Sequence, residues 1–264
     1  MPAAYDTYDY PSYWDKREYE HKAEYYAIKT LLNKIPHIKT IIEIGAGYGR
    51  LFSAFSYRAK KIILSDPSAS SLSLARKKIR NNKQVCCWRN KKAIFVQSSL
   101  ENLPNQIKNE TSDLVIMVRV LHHIEDTQEA FKIVAKLLKD NGYFILEFAN
   151  KGHIKATLKE FYKGNITFPL DIFPIDKRSK KTKKAKTLPF INYHPDEITE
   201  QLRNAGFTII EKLSVSNIRS TFLKKIITTA TLIDIEKALQ KPLSHINFGP
   251  SIFILAKKHP ISKA

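Results

Sequence analysis

Cysteine is almost absent from this 264-residue chain, and long apolar runs are absent altogether. Cys86 and Cys87 are adjacent and have no further cysteine to pair with, so neither a disulfide framework nor a cysteine-based zinc site is expected. No apolar run approaches the ~20 residues that cross a bilayer, and residues 1–13 are aromatic and acidic rather than signal-like. The sequence therefore predicts no membrane span and a cytoplasmic location.

Acidic residues are also scarce, with 25 Asp and Glu against 44 Lys and Arg, which gives a net charge of +19. Such an excess attracts nucleic acid or an anionic membrane surface over long distances. A lysine-coated surface can equally be no more than well solvated, so nucleic-acid binding is an alternative rather than the favoured prediction. The densest cationic stretch, residues 177–186, holds seven Lys and Arg residues and is expected to form a mobile loop.

Glycine is sparse as well, with eight residues in all, yet three of them fall in one short turn. A strand rich in isoleucine ends at Ile44 and is followed by Gly45, Gly47 and Gly49, after which an amphipathic helical pattern begins. Glycine tolerates positive φ, and its missing Cβ lets backbone N–H groups approach a ligand closely. This strand, turn and helix are suited to a nucleotide-like ligand.

The spacing of these glycines separates two classes of cofactor. The dinucleotide fingerprint G-x-G-x-x-G needs a glycine or alanine three places after Gly47, where this chain has Arg50. The chain instead has an acid two places before the first glycine. This pattern resembles the first motif of the class I S-adenosylmethionine (SAM)-dependent methyltransferases. The resemblance implies that four residues lie beneath the methionine part of SAM: Glu43, Gly45, Ala46 and Gly47.

A second predicted strand, residues 61–66, ends in a carboxylate. In an open α/β sheet the ligand crevice lies outside the carboxyl ends of the strands, so Asp66, followed by Pro67, could accept hydrogen bonds from both ribose hydroxyls. This is a second feature that resembles the methyltransferase pattern. Asp66 could instead do no more than cap the helix that begins after Pro67.

The third predicted strand, residues 93–97, is followed by a departure from the family pattern. The family usually places there an Asp that accepts the adenine amino proton, and then a small or apolar residue. This chain has Ser98, Ser99 and Leu100 at these positions, so the acid is missing. A serine hydroxyl accepts a weaker hydrogen bond than a carboxylate does. We therefore expect weaker SAM binding or a displaced adenine contact.

The fourth strand region, residues 113–124, is apolar through its centre and runs into two histidines. It resembles the fourth methyltransferase motif, which implies a central strand and a loop, Arg119 to His123, facing the cofactor and the acceptor. Imidazole titrates near neutrality, so His122 or His123 could remove a proton from the acceptor, although either could only pack or cap the next helix. Neither has an acidic or histidine partner at ligand spacing, so no metal site is expected.

The remaining pattern predicts an α/β fold with a Rossmann-like, seven-stranded, mostly parallel sheet and helices on both faces. The helix after the fourth strand is expected at residues 126–140. The resemblance implies that the last strand is antiparallel. The later strands are predicted at residues 143–148, 207–213 and 251–257.

Two parts of the chain lie outside this compact pattern. Residues 1–37 are expected to form an N-terminal helical arm or lid, with Tyr13, Trp14 and Arg17 as candidate contacts. Residues 38–264 would form the methyltransferase domain, with insertions at about 150–192 and 217–247. The first insertion should overhang the acceptor pocket, because it follows the fifth strand.

The function that the resemblance implies is SAM-dependent methyl transfer to a small-molecule acceptor, at an oxygen, a nitrogen or an activated carbon. Aligning the acceptor with the activated methyl group supplies most of the rate in such reactions. The chain has no Pro-Pro-aromatic triplet, which counts against methylation of the amino groups of bases. The alternatives are methylation of RNA or another polyanion and a catalytically silent SAM-binding module. The oligomeric state cannot be predicted from the sequence.

Overall fold

The computed structural model describes residues 10–81, 92–179, 183 and 187–260. Cys86, Cys87 and most of the cationic stretch lie outside these ranges. No helix among the described residues is long and apolar enough to cross a membrane.

Seven strands form one sheet in the order β3-β2-β1-β4-β5-β9-β8, and β6 pairs separately with β7. Six of the seven strands run parallel, whereas β9 is antiparallel to both of its neighbours. The predicted fold class is thus confirmed, including the antiparallel last strand. The strands are β1 (Thr40–Ile44), β2 (Lys61–Asp66), β3 (Lys92–Gln97), β4 (Ser112–Met117), β5 (Leu138–Ala149), β6 (Ile175–Asp176), β7 (Ile191–Asn192), β8 (Phe207–Val215) and β9 (Ser251–Lys258).

Helices cover both faces of the sheet because successive residues of the buried strands point to opposite sides. Ile41 packs in the layer that contains α2 and α9, and Ile42 packs in the layer that contains α5 and α7. The helices are α1 (Tyr10–Trp14), α2 (Glu18–Leu32), α3 (Phe52–Phe55), α4 (Ala69–Asn81), α5 (Thr127–Leu137), α6 (Ile154–Tyr162), α7 (Pro195–Asn204), α8 (Leu223–Ile226) and α9 (Thr229–Ser244).

The boundary between α5 and β5 differs from the prediction. The helix ends at Leu137 rather than at residue 140, and the strand begins at Leu138 rather than at residue 143. The physical reason is tertiary, because Leu138 pairs with Ser112 at the start of β4 and its carbonyl accepts a hydrogen bond from Lys258 Nζ at 2.9 Å. These sheet contacts override the helical pattern of the sequence.

The helix of the N-terminal arm is part of the packed core. Helix α2 contacts α3, α9 and β8. The hydroxyl of Tyr19 donates to Glu236 Oε2 at 2.5 Å, and the Gln240 side chain donates to the carbonyl of Ala23 at 3.1 Å. The two additions to the family pattern, the arm and the second insertion, therefore pack against each other.

A buried lysine fastens the first insertion. The Lys151 side chain is fully buried, and its Nζ lies 2.7 Å from the Asp171 carboxylate and donates to the Phe173 carbonyl at 2.7 Å. The short β6–β7 pair follows, and beyond it the Lys177 N–H donates to the Phe190 carbonyl at 2.8 Å. At the base of the insertion the Lys151 N–H donates to the Tyr193 carbonyl at 2.9 Å, so its two ends lie side by side.

Candidate cofactor and acceptor site

The glycines of the turn after β1 have the positive φ angles that the sequence predicted. Gly45 has φ +71°, and a Cβ at this position would lie 2.1 Å from Val120 Cγ2. Gly47 has φ +53°, and a Cβ there would meet nothing within 4 Å. The N–H groups of Gly45 and Ala46 donate to the Ser65 carbonyl at 2.8 and 2.9 Å, which closes the turn against β2. The turn leaves open space above Gly47.

Asp66 lies at the carboxyl end of β2 and holds both sides of the turn. Its Oδ2 accepts from the Gly47 N–H at 2.8 Å, and its Oδ1 accepts from the Ser68 N–H at 2.8 Å. The residue that caps α4 is Ser68, whose Oγ accepts from the Ser71 N–H at 3.1 Å, so Asp66 itself holds only the turn before the helix. The Asp66 carboxylate also lines the cavity described below.

Glu43 lies near the carboxyl end of β1, and its side chain is buried. Burial raises the pKa of its carboxyl to about 8, Asp66 adds to the rise, and Arg50 opposes it. Its Oε2 is buried and accepts no hydrogen bond from any described residue. Since a buried acceptor without a donor costs free energy, an oxygen of this kind at a cavity wall suits a ligand that brings a donor.

These residues surround a cavity of about 400 Å³ at the carboxyl ends of β1, β2 and β4. Eleven of the predicted site residues line it: Glu43, Gly45, Ala46, Gly47, Asp66, Pro67, Ser98, Ser99, Leu100, Arg119 and His123. The exception is His122. The sequence did not single out the remaining wall residues: Ile44, Tyr48, Arg50, Leu51, Ser71, Glu101, Val118, Val120, Ile124 and Leu188.

Two arginines of this wall are bound by one buried carboxylate from the arm. Glu24 on α2 accepts from Arg50 at 2.5 Å through one oxygen, and from Arg119 at 2.6 and 2.8 Å through the other. Burial alone would raise the pKa of Glu24, but Arg119 and Arg50 together hold that pKa below its usual range. Trp14 stacks over Arg50, with the guanidinium carbon 3.6 Å from the ring centre. The arm therefore fixes the orientation of both arginines.

The backbone at Arg119 is itself constrained. Its φ is +63°, a left-handed conformation that a side chain with a Cβ disfavours. Its N–H donates to the buried Oε2 of Glu147 at 2.7 Å, and the same carboxylate accepts from Ser251 at 2.5 Å. Strands β5 and β9 thus hold the turn that directs Arg119 toward Glu24.

The other candidate lid contacts lie further from the cavity. The guanidinium carbon of Arg17 lies 4.1 Å from the ring centre of Tyr13. Neither residue lines the cavity, and Trp14 reaches it only through the two arginines.

The two adjacent histidines differ in their surroundings. His123 lines the cavity, and its Nδ1 lies 2.7 Å from the Pro189 carbonyl. Because a carbonyl can only accept, this Nδ1 carries the proton, and Nε2 carries the lone pair in the neutral ring. Burial lowers the pKa of His123, although the bond to Pro189 opposes the shift. His122 is buried against Phe190, with ring centres 4.8 Å apart, so it packs rather than faces the cavity.

The position of the missing acid is occupied by a local hydrogen-bond pair. The Ser98 hydroxyl donates to the Ser99 carbonyl at 2.9 Å, and the Asn102 amide donates to the Ser99 hydroxyl oxygen at 3.2 Å. Glu101 also lines the cavity, two residues further along. A carboxylate is therefore present at this wall, displaced from the position that the family uses.

Comparison with known proteins agrees with this geometry. Residues 42–146 match a family model described as a methyltransferase domain. A probable S-adenosylmethionine-dependent methyltransferase of Saccharomyces cerevisiae is 29% identical over 110 residues, which are 42% of this chain and 35% of the yeast protein. The ubiquinone biosynthesis O-methyltransferase of Rickettsia bellii is 25% identical over 184 residues, which are 70% of this chain and 67% of that protein. The chain thus spans about a third of the yeast relative.

Solved structures support the fold. A SAM-dependent methyltransferase from Mesorhizobium loti superposes with a TM-score of 0.57 at 15% identity, covering 89% of this chain and 98% of that one. One from Methanosarcina mazei has a TM-score of 0.57 at 18% identity and covers 88% and 98%.

The chain has the Rossmann-like fold of the solved SAM-dependent methyltransferases. Residues 42–146 are similar to a methyltransferase domain, and these matches indicate methyl transfer with S-adenosylmethionine as the cofactor.

Proposed function

We propose that this enzyme methylates a small-molecule acceptor at an oxygen, a nitrogen or an activated carbon, with His123 as general base. The observation that carries the proposal is the cavity itself, which is lined both by the predicted cofactor residues and by His123, Ile124 and Leu188. A cavity of about 400 Å³ is in the range of small-molecule sites.

The described residues fit SAM on chemical grounds. The Glu43 Oε2 that lacks a donor suits the ammonium of the methionine part, and Asp66 suits the ribose hydroxyls. The open space at Gly47 admits the ligand close to the backbone. We propose that Glu101 replaces the missing acid as acceptor for the adenine amino group. When bound, SAM supplies a methyl group already activated by its sulfonium.

His123 is suited to accept the acceptor's proton. The bond from Nδ1 to Pro189 leaves the basic lone pair on Nε2, and the lowered pKa keeps the ring neutral near pH 7. His123 Nε2 would take the acceptor's proton, while bound SAM would supply the methyl group and keep the sulfur as its leaving group. The N-terminal arm would help to close the cofactor site, because its Glu24 holds Arg50 and Arg119, which both line the cavity.

The test is transfer from methyl-labelled SAM to a panel of hydroxyl, amine and acidic-carbon compounds. Hydroxyl acceptors come first, since one relative is named an O-methyltransferase. We expect H123Q to lower kcat by about 10²- to 10⁴-fold with an unchanged Kd for SAM. H122Q is the matched control, and we expect it to change stability more than kcat.

The pH dependence gives a second readout. Since the pKa of His123 is lowered, kcat should rise with pH below the usual histidine range and be level above pH 7. If H123Q formed product as fast as the wild type, His123 would not be the base. The same would follow if the pH profile of kcat for H123Q were identical to that of the wild type.

Nucleic acid is the alternative acceptor, and the described part of the cationic stretch gives it little support. Arg178 and Lys183 both pair with Asp176, at 2.8 and 3.4 Å. RNA binding that weakens steeply with salt, together with methylated RNA, would favour this alternative. A catalytically silent module would bind SAM but form no labelled product in the assay above. A cytoplasmic location stays a prediction from the sequence.

A further inference from the structure

The first insertion exposes most of its large apolar side chains, although Phe168 is buried. Helix α6 has no buried residue, although its apolar residues recur at helical spacing. Four side chains of this stretch are among the most exposed apolar groups, Tyr162 at 92%, Leu170 at 80%, Phe173 at 75% and Ile166 at 74%. We define the apolar face by its eight exposed residues: Ile154, Leu158, Phe161, Tyr162, Ile166, Leu170, Ile172 and Phe173.

Three residues of the apolar face form one row on α6, and a second element that carries part of the face lies beside this helix. Ile154, Leu158 and Phe161 share one side of α6, since they are four and then three residues apart. The 3₁₀ helix Phe168–Leu170 contacts α6, and Lys151 anchors the chain beyond it. Monomeric proteins rarely expose a contiguous apolar surface of this kind unless something binds there.

Cations accompany the apolar face. Lys155, Lys159 and Lys163 follow one another at four-residue steps, so they form a row beside the apolar row of α6. Residues 150–192 hold eleven Lys and Arg residues against three acids, so this stretch of 43 residues carries +8 of the net +19.

The acidic groups of the same stretch are all paired within it. Glu160 lies 2.7 Å from Lys163, Asp171 lies 2.7 Å from Lys151, and Asp176 lies 2.8 Å from Arg178. No acid of residues 150–192 is thus left to face a cationic partner.

We propose that the apolar face docks on an anionic lipid bilayer, with the α6 side chains in the interfacial region and the lysine row on the headgroups. Interfacial helices combine an apolar row with Lys and Arg on the adjoining face. Each basic residue near an anionic leaflet adds attraction, and the net charge of +19 adds a long-range contribution. A second copy of the chain is a poorer partner, because two stretches that each carry +8 would face each other.

The test is co-sedimentation of the full chain with vesicles of phosphatidylcholine and phosphatidylglycerol in a 7:3 ratio, against pure phosphatidylcholine. We expect binding to the mixed vesicles and at least tenfold weaker binding to the pure ones. L158S/F161S should bind the mixed vesicles at least tenfold more weakly than the wild type. Both positions are exposed, so the variant should keep its fold and its Kd for SAM.

The matched control is L74S/Y57S, which also removes one leucine and one aromatic ring from exposed positions, but outside the apolar face. We expect it to bind like the wild type. K155Q/K159Q/K163Q should bind both vesicle types equally weakly.

Three outcomes would overturn the proposal. The first is equal binding of the wild type to both vesicle compositions, or equal binding by L158S/F161S. The second is a wild-type dimer in sedimentation velocity that L158S/F161S converts to a monomer, with no vesicle binding. The third is binding to single-stranded RNA with none to vesicles. Since these readouts contain no turnover step, they are independent of whether His123 is the base.

Discussion

The cavity wall and the first insertion differ in where their charged groups lie. At the cavity wall, charged groups are buried and held by several bonds, as Glu24 is by Arg50 and Arg119. In the insertion, apolar side chains are exposed beside a row of lysines on α6, whereas Lys151 is buried. At the cavity wall, contacts within the chain fix the positions of the charged side chains. In the insertion, by contrast, no described part of the chain covers the exposed apolar side chains.

The largest expected effect comes from the two buried charges that fasten the appended segments. E24Q leaves Arg50 and Arg119 without their carboxylate, so we expect about 3–5 kcal/mol loss in the free energy of unfolding. SAM affinity should fall by roughly tenfold or more, because both arginines line the cavity. Urea denaturation and isothermal titration with SAM measure the two effects.

K151M is the counterpart in the insertion. It removes the Nζ that binds Asp171 and Phe173, so stability should fall by about 1–3 kcal/mol. The Kd for SAM should not change. If K151M weakened SAM binding as much as E24Q does, the separation of the two regions would be wrong.

Glycine substitutions sharpen the comparison at the level of the backbone. G45A places a Cβ 2.1 Å from Val120 at φ +71°, so we expect roughly 2–4 kcal/mol of destabilisation and no measurable SAM binding. G164A has a similar φ of +83° but meets nothing within 4 Å. It should show only the φ penalty, about 1–2 kcal/mol, with normal SAM binding. Equal SAM affinity in the two variants would contradict the close approach at Gly45.

Two aspartates give a smaller contrast. D66N keeps the shape of the side chain but removes the charge that we expect to accept from the ribose, so SAM affinity should fall about 10- to 100-fold. Asp171 also accepts from a backbone N–H, that of Phe173 at 3.1 Å, and pairs with a lysine. D171N should leave the titration with SAM unchanged. An unaltered Kd in D66N would place the ribose elsewhere.

The last contrast concerns the pH dependence of stability, an effect that is spread over several pH units. The pKa of Glu43 is raised from 4.5 to about 8, so the folded protein keeps a proton that the unfolded chain loses. Glu43 should therefore make the free energy of unfolding fall as pH rises from 4.5 to 8, by about 1.4 kcal/mol per unit. Subtracting the E43Q curve from that of the wild type isolates this slope. Parallel curves in urea denaturation would mean that Glu43 is ionised when folded.

Local patterns predicted the cavity edge well because its signals lie within a few residues of one another. The strand before Gly45 and the strand ending at Asp66 were found with their boundaries, since buried strands and turns have strong local signatures. The predicted end of α5 was wrong because Leu138 pairs with Ser112, and local sequence patterns do not reveal a pairing between distant residues.

Glu24 could not be found from the sequence for the same reason. The sequence around Glu24 shows only an ordinary helical pattern. Its partners Arg50 and Arg119 are 26 and 95 residues away in the sequence. The choice between His122 and His123 also depended on distant residues, since Pro189 and Phe190 approach from the insertion. The apolar spacing of α6 was readable, but its exposure was not.

The position of β9 has a consequence for synthesis of the protein. This strand follows β5 and β8 in the sequence, yet it lies between them and pairs with both. A ribosome releases the N-terminal part first, so β8 waits without a neighbour until residues 251–258 emerge. The sheet can thus be completed only after residues 251–258 have been synthesised, and deleting these residues would leave β5 and β8 with unpaired edges.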